Sequence, residues 1–147
     1  MRALFAAAIV MALPAVPVFA ADVEFRPVVD CATHPGAPHL DIYAPQAHCL
    51  ADPVITEADF QRLDRQRLGG GTFVRGLLTQ EAQERFYYAT RDQRGRPMAL
   101  MIEGKAKQVW VVGGASQADW LVLNGGYATE KELNAVADRF YAGGGRH

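Results

Sequence analysis

The segment GRPMALMIEGKAKQVWVV, Gly95 to Val112, places two apolar runs on either side of Glu103-Gly104. Glycine accepts positive φ without steric cost, so Glu103-Gly104 reads as the turn of a β-hairpin. Both runs, PMALMIE and KQVWVV, are almost continuously apolar, where a strand with one wet face would alternate. The hairpin is therefore expected in the middle of a sheet or covered on both faces. What flanks it decides the fold class.

Before the hairpin, Thr79 opens a helix. Glu81 and Glu84 stand near its positive end and Arg91 and Arg94 beyond its middle, as the helix dipole favours. Ala82, Phe86 and Ala89 fall at i, i+4 and i+7 and form its core stripe. After the hairpin, DWLVLNGG supplies another strand. Thr129 and Glu132 then make a T-x-x-E capping box ahead of Leu133, Val136, Ala137 and Phe140, which repeat at helical spacing. Gly143-Gly144-Gly145 ends that helix.

Upstream, TEADFQRLDRQRL reads either as a short helix begun by Thr56 or as one turn followed by a strand. The turn is favoured, because Gly69-Gly70-Gly71 and the strand-like TFVRGLL complete a hairpin. VEFRPVV, Val23 to Val29, is β-prone but holds Pro27, which cannot donate to a ladder, so it reads as an edge strand or a broken one. From Asp30 to Pro53 five prolines or glycines break the chain and only HLDIYAP alternates like a short strand. The sum is an α+β fold, a largely antiparallel sheet with two helices on one face.

The first twenty residues carry one charge at Arg2, an apolar stretch from Ala3 to Leu13, and small residues before Ala21. That is the form of a secretory signal peptide cut after Ala20, with too short an apolar core for a membrane span. Residues 21–147 are then one domain in a periplasmic or secreted setting. In that setting Cys31 and Cys49, flanking the irregular loop, pair as a disulfide. The alternative is a small metal-dependent or hydrolytic enzyme, with metal held by the same loop through His34, His39, Asp41 and His48.

Other chemistry finds little support. Ser116 is the single serine after residue 20 and sits in no G-x-S-x-G turn, so it reads as a loop residue. The glycine pairs and triplets match neither dinucleotide nor P-loop patterns, and no cofactor is expected. Residues 21–60 hold seven acids against Arg26, while residues 61–96 hold eight arginines against four acids. These stretches face each other or are solvated, or the arginines line a face for an acidic partner. With a formal net charge of −1 and an exported chain, nucleic acid is excluded. Tyr87, Tyr88, Trp110 and Trp120 exceed what two helical stripes need and are candidates for an apolar binding surface, with Arg91 and Arg94 at its margin.

Three blocks in order carry a resemblance: LTQEAQERFYYAT, RGRPMALMIEGKAKQ and LVLNGGYATEKELNAVADRFYAGG. From about Leu77 to Gly144 the chain resembles the head subdomain of the large periplasmic domain of the protein-export subunit SecD, and VEFRPVV looks like that module's first strand. The hairpin matches the pattern G-K/R-x-L-A-I-x-x-D-G-K with Glu103 in place of Asp, and Val109-Trp110 replaces an Ala-Pro. The resemblance implies a periplasmic α+β module that contacts polypeptide or a protein partner, and it supplies no catalytic residue. The expected function is thus an exported, non-enzymatic module that binds polypeptide or an envelope protein and assists protein export or envelope folding. An inhibitor or an envelope structural protein is the third reading.

Overall fold

The computed structural model of the chain describes residues 23–42 and 47–142. The expected signal peptide, the Gly143–Gly145 helix end and residues 43–45 of the expected short strand lie outside them. In chain order the elements are β1 (Val23–Asp30), β2 (His48–Leu50), β3 (Ile55–Thr56), β4 (Phe60–Leu68), β5 (Gly71–Leu78), α1 (Gln80–Asp92), β6 (Pro97–Ile102), β7 (Lys105–Val111), β8 (Trp120–Val122) and α2 (Glu130–Ala142). All strand pairing is antiparallel, so the α+β expectation holds. The pairing is divided between two sheets, one ordered β2-β1-β6-β7 with β3 also on β1, the other β4-β5-β8.

The β6–β7 hairpin forms at Glu103-Gly104 with φ of 52° and 76°, both left-handed, as the turn that matches strand twist requires. Leu100 faces Gln108 while Met101 faces Ala106, so Lys107 is the extra residue of a bulge. The alternation of β6 then serves two cores. Met98, Leu100 and Ile102 join Val23, Phe25, Phe60, Leu63, Val74 and the buried faces of both helices. Ala99 and Met101 meet Val28, Leu40, Leu50 and Ala106 on the reverse side. Burial on both faces is the reason the run has no polar residues.

The disulfide forms between Cys31 and Cys49, whose Cα atoms are 5.0 Å apart. It ties the irregular loop over the reverse face of the sheet, where Leu40 is buried. Of the strand expected at HLDIYAP, the described residues 39–42 make a single His39–Cys49 bridge. The pairing strand is β2 instead, and Leu40 N donates to His48 O at 2.9 Å.

Pro27 does not put β1 at an edge; β1 lies inside its sheet, between β6 and the β2/β3 side. Val54 N donates to Phe25 O at 2.8 Å and Ala51 N to Pro27 O at 3.0 Å, so these residues face the β2/β3 side. The missing N–H of Pro27 therefore falls opposite residues 51–54, where that side of the ladder is already interrupted, and the β6 ladder loses nothing.

At TEADF the favoured turn is present: residues 57–59 form one 3-10 turn with Asp59 Oδ2 accepting from Thr56 N at 2.8 Å, and β4 follows. In α1, Thr79 Oγ1 accepts from Ala82 N. Its buried stripe is Ala82, Phe86 and Thr90, with Ala89 only part-buried. In α2 the capping box is closed in both directions, Thr129 N to Glu132 Oε2 at 2.9 Å and Glu132 N to Thr129 Oγ1 at 3.3 Å. Leu133, Val136 and Ala137 are buried. Arg65–Asp138 at 2.6 Å and Thr72 Oγ1 to Glu130 Oε1 at 2.9 Å fasten α2 along β4 and β5.

Candidate functional site

β7 ends one sheet and β8 ends the other. A cleft of about 470 Å³ opens between them, floored by Phe25, Phe86 and Thr90. Trp110 stands edge-on to Phe25 with ring centres 6.0 Å apart, and Phe25 meets Phe86 in the same way at 6.2 Å. On the far wall Trp120 lies beneath two guanidiniums, Arg75 at 4.3 Å and Arg62 at 5.1 Å from its ring centre. Both arginines reach Asp64, at 3.1 and 3.6 Å. Strand register produces this stack: Arg62 pairs with Leu77 and Leu77 with Trp120, while Asp64 pairs with Arg75 one step along the same outer face. Arginine over an indole face is a favourable and partly desolvated arrangement.

Both ends of the cleft are fixed. At one end the loop from Gly113 is held by Thr90, whose hydroxyl donates to Phe86 O at 2.8 Å and accepts from Ser116 N at 2.8 Å. At the other, Tyr127 N donates to Lys107 O at 2.7 Å. Gly126 has φ of +50°, and a Cβ there would sit 2.1 Å from Lys107 O, so the close approach requires glycine. Lys107 Nζ also lies 2.5 Å from Glu132 Oε1. That hydrogen bond, with the one from Thr129 N, holds the Glu132 carboxyl below its ordinary range against the opposing effect of burial.

The six surface candidates fall into two groups. Trp110 and Trp120 share the cleft. Tyr87 and Tyr88 pack edge-to-face at 5.4 Å on α1 and line a separate hollow with Gln117. Arg91 covers Tyr88 at 4.9 Å, and Arg94 is exposed past the end of α1. Gln117 belongs to the loop whose Gly113, Gly114 and Ser116 line the cleft, so that loop separates the two groups. The cations over Trp120 are Arg62 and Arg75, which sequence reasoning did not single out; only the register of β4, β5 and β8 brings them there. The acid-rich and Arg-rich stretches meet at Arg85–Asp59, 2.5 Å, but most ion pairs lie within one stretch or reach α2.

The residues of the metal alternative are dispersed. Among the described residues the one grouping of three potential ligands is Cys31, His39 and Cys49. Both sulfurs are consumed by the disulfide, with His39 Nδ1 3.7 and 3.9 Å from them. Asp41 Oδ1 accepts from Ala106 N at 3.1 Å and so fixes the loop to β7. His34 and His48 line a different hollow together with Asp30 and Arg96. Ser116 Oγ accepts from Ala118 N at 3.3 Å, a turn contact as expected of a loop serine.

Two antiparallel sheets sharing one core, two helices on that core, and an aromatic cleft between open sheet edges define an α+β module with an outward-facing groove. No protein-family model and no curated protein sequence matches the chain. Among solved structures it is similar to a membrane component, SecDF, that enhances protein export, with a TM-score of 0.59 and 21% identity over 80% of this chain and 60% of that one. It is similar also to SecDF in a super-membrane-facing form, with a TM-score of 0.57 and 21% identity over 80% of this chain and 18% of that one. The fold is that of part of SecDF, as the resemblance to a SecD head subdomain implied. No helix among the described residues is long and apolar enough to cross a membrane.

Proposed function

We propose that the chain is an exported, single-domain, non-enzymatic module that binds polypeptide, as an unfolded client or a protein partner, in the cleft between β7 and β8. The observation that carries this reading is that Trp110 and Trp120 line one open cleft with Phe25 and Phe86 beneath. Aromatic side chains offer large rigid contact area, suited to unfolded chain of varied sequence. Tyr87 and Tyr88, with Arg91 and Arg94 at the margin, extend the surface around the 113–119 loop. The signal-peptide pattern of residues 1–20 and the Cys31–Cys49 bond support a periplasmic or secreted setting. The fold shared with a SecDF that enhances protein export supports a role beside the export machinery or in envelope folding. The test is intrinsic fluorescence and anisotropy with a reduced, carboxymethylated client protein. A saturable change that Trp110→Ala and Trp120→Ala diminish is expected, and no change at high client concentration overturns the proposal.

A further inference from the structure

Resting on that polypeptide-binding reading, we infer that the bound chain is held as an added β-strand, hydrogen-bonded to the open edge of β7 at Val109 and Val111. In an antiparallel ladder the N–H and C=O of a residue point to one side, and successive residues alternate. Val112 N donates to Arg96 O at 2.9 Å and Val112 O accepts from Gly95 N at 2.8 Å, so residue 112 and Trp110 face β6. Val109 and Val111 therefore face the cleft. The carbonyl of the bulged residue Lys107, further along the strand, also points to that side, to Tyr127 N.

Across the cleft the parity is mirrored. Leu78 N donates to Asp119 O at 2.8 Å and Leu123 N to Val74 O at 2.9 Å, which turns residues 119, 121 and 123 toward β5. Trp120 and Val122 face the cleft. Two edge strands thus present rows of backbone donors and acceptors to each other, joined at one end by the Tyr127–Lys107 bond and at the other by the connecting loop, with no pairing between them. Edges are usually guarded by lysine, proline or a bulge. In β7 the lysines and the bulge lie at the closed end, while Val109-Trp110-Val111 has no guard and Val111 is 67% exposed.

An extended segment of about four or five residues fills such an edge, its alternate side chains falling on Trp110 and beside Val111. Arg62 and Arg75 over Trp120 suit acidic residues in that segment. The occupant is therefore an extended polypeptide in which apolar and acidic residues alternate.

The probe is a short synthetic peptide alternating valine and glutamate, titrated against the full chain by tryptophan fluorescence beside two versions N-methylated at every second amide, in opposite phases. One phase is expected to weaken binding about tenfold or more and the other to leave it nearly unchanged, since only one row of N–H groups meets β7. Val111→Pro, which deletes an outward N–H and no bond to β6, is expected to weaken the unmethylated peptide to a similar degree with the melting temperature retained. Should that variant fail to fold, the methylated peptides on the unaltered protein decide. Equal binding of all three peptides overturns strand addition while polypeptide binding stands. Binding of the unfolded client without binding of the short peptide also overturns it, and binding of neither removes both proposals.

Discussion

Replacing Gly76 by alanine probes how the wall of the cleft is set. Gly76 pairs with Leu63 on one side and Leu121 on the other, and the ring of Phe60 lies across its bare Cα. A Cβ at this position would meet Cδ1, Cε1 and Cγ of that ring at 2.3, 2.5 and 2.9 Å. Carbon atoms pack at about 3.5–4.0 Å, so the ring must retreat by about 1 Å or more. Phe60 is 2% exposed and belongs to the main core cluster, so the ring cannot retreat into solvent. Overpacking costs about 1–3 kcal/mol and outright loss of a buried phenylalanine about 3–5, while alanine in a strand regains about 0.5–1 over glycine. We expect Gly76→Ala to destabilise by about 2 kcal/mol. Urea unfolding of Gly76→Ala, Phe60→Ala and the double variant isolates the cause. With the ring gone, the alanine should be neutral or stabilise by up to about 1 kcal/mol, leaving an interaction of roughly 2–3 kcal/mol between the sites. Additivity of the two substitutions, or a neutral Gly76→Ala, would refute the packing argument.

Three further outcomes follow from the geometry. Cys31→Ala with Cys49→Ala removes a cross-link between residues 18 apart and should cost about 3 kcal/mol in urea unfolding; a loss below about 1 kcal/mol would mean that Leu40 and Leu50 hold the loop unaided. Glu132 has a lowered folded pKa, so its contribution is fully present above the ordinary glutamate value of about 4.3 and disappears as pH falls through the depressed one. Melting curves from pH 7 to pH 3 should therefore fall less steeply for Glu132→Gln than for the parent, and identical slopes would contradict the assignment. Thr90→Val leaves the Ser116 amide without its acceptor, which should cost about 1–3 kcal/mol and speed hydrogen exchange at residues 113–119; unchanged exchange there would show that the loop is held otherwise.

Elements specified by neighbouring residues were readable in the sequence. Glu103-Gly104, the Thr129/Glu132 box, the Thr79 cap and the two cysteines each act over a few residues or a single loop, and each is where its pattern puts it. Features fixed by pairing across long separations were not. Pro27 argues for an edge until the ladder beside it is known to break at residues 51–54. Ala89 fits the helical spacing as well as Thr90 does, but the amide of Ser116 selects Thr90 for burial. For the candidate site, Trp110 and Trp120 were legible as surplus aromatics, whereas Arg62 and Arg75 become neighbours of Trp120 only through the register of three strands. The split into two sheets, which makes the cleft, leaves no local mark.

The interior place of β1 bears on the order of assembly. Its β6 partner begins at Pro97, so a chain delivered amino-terminus first carries β1 bare on that side for several seconds at ordinary synthesis rates of about 5–20 residues per second. During that interval β1 is a ready template for joining other nascent chains. Glu24, Arg26 and Pro27 break the run into apolar pieces of one or two residues, a pattern that disfavours such joining before β6 arrives.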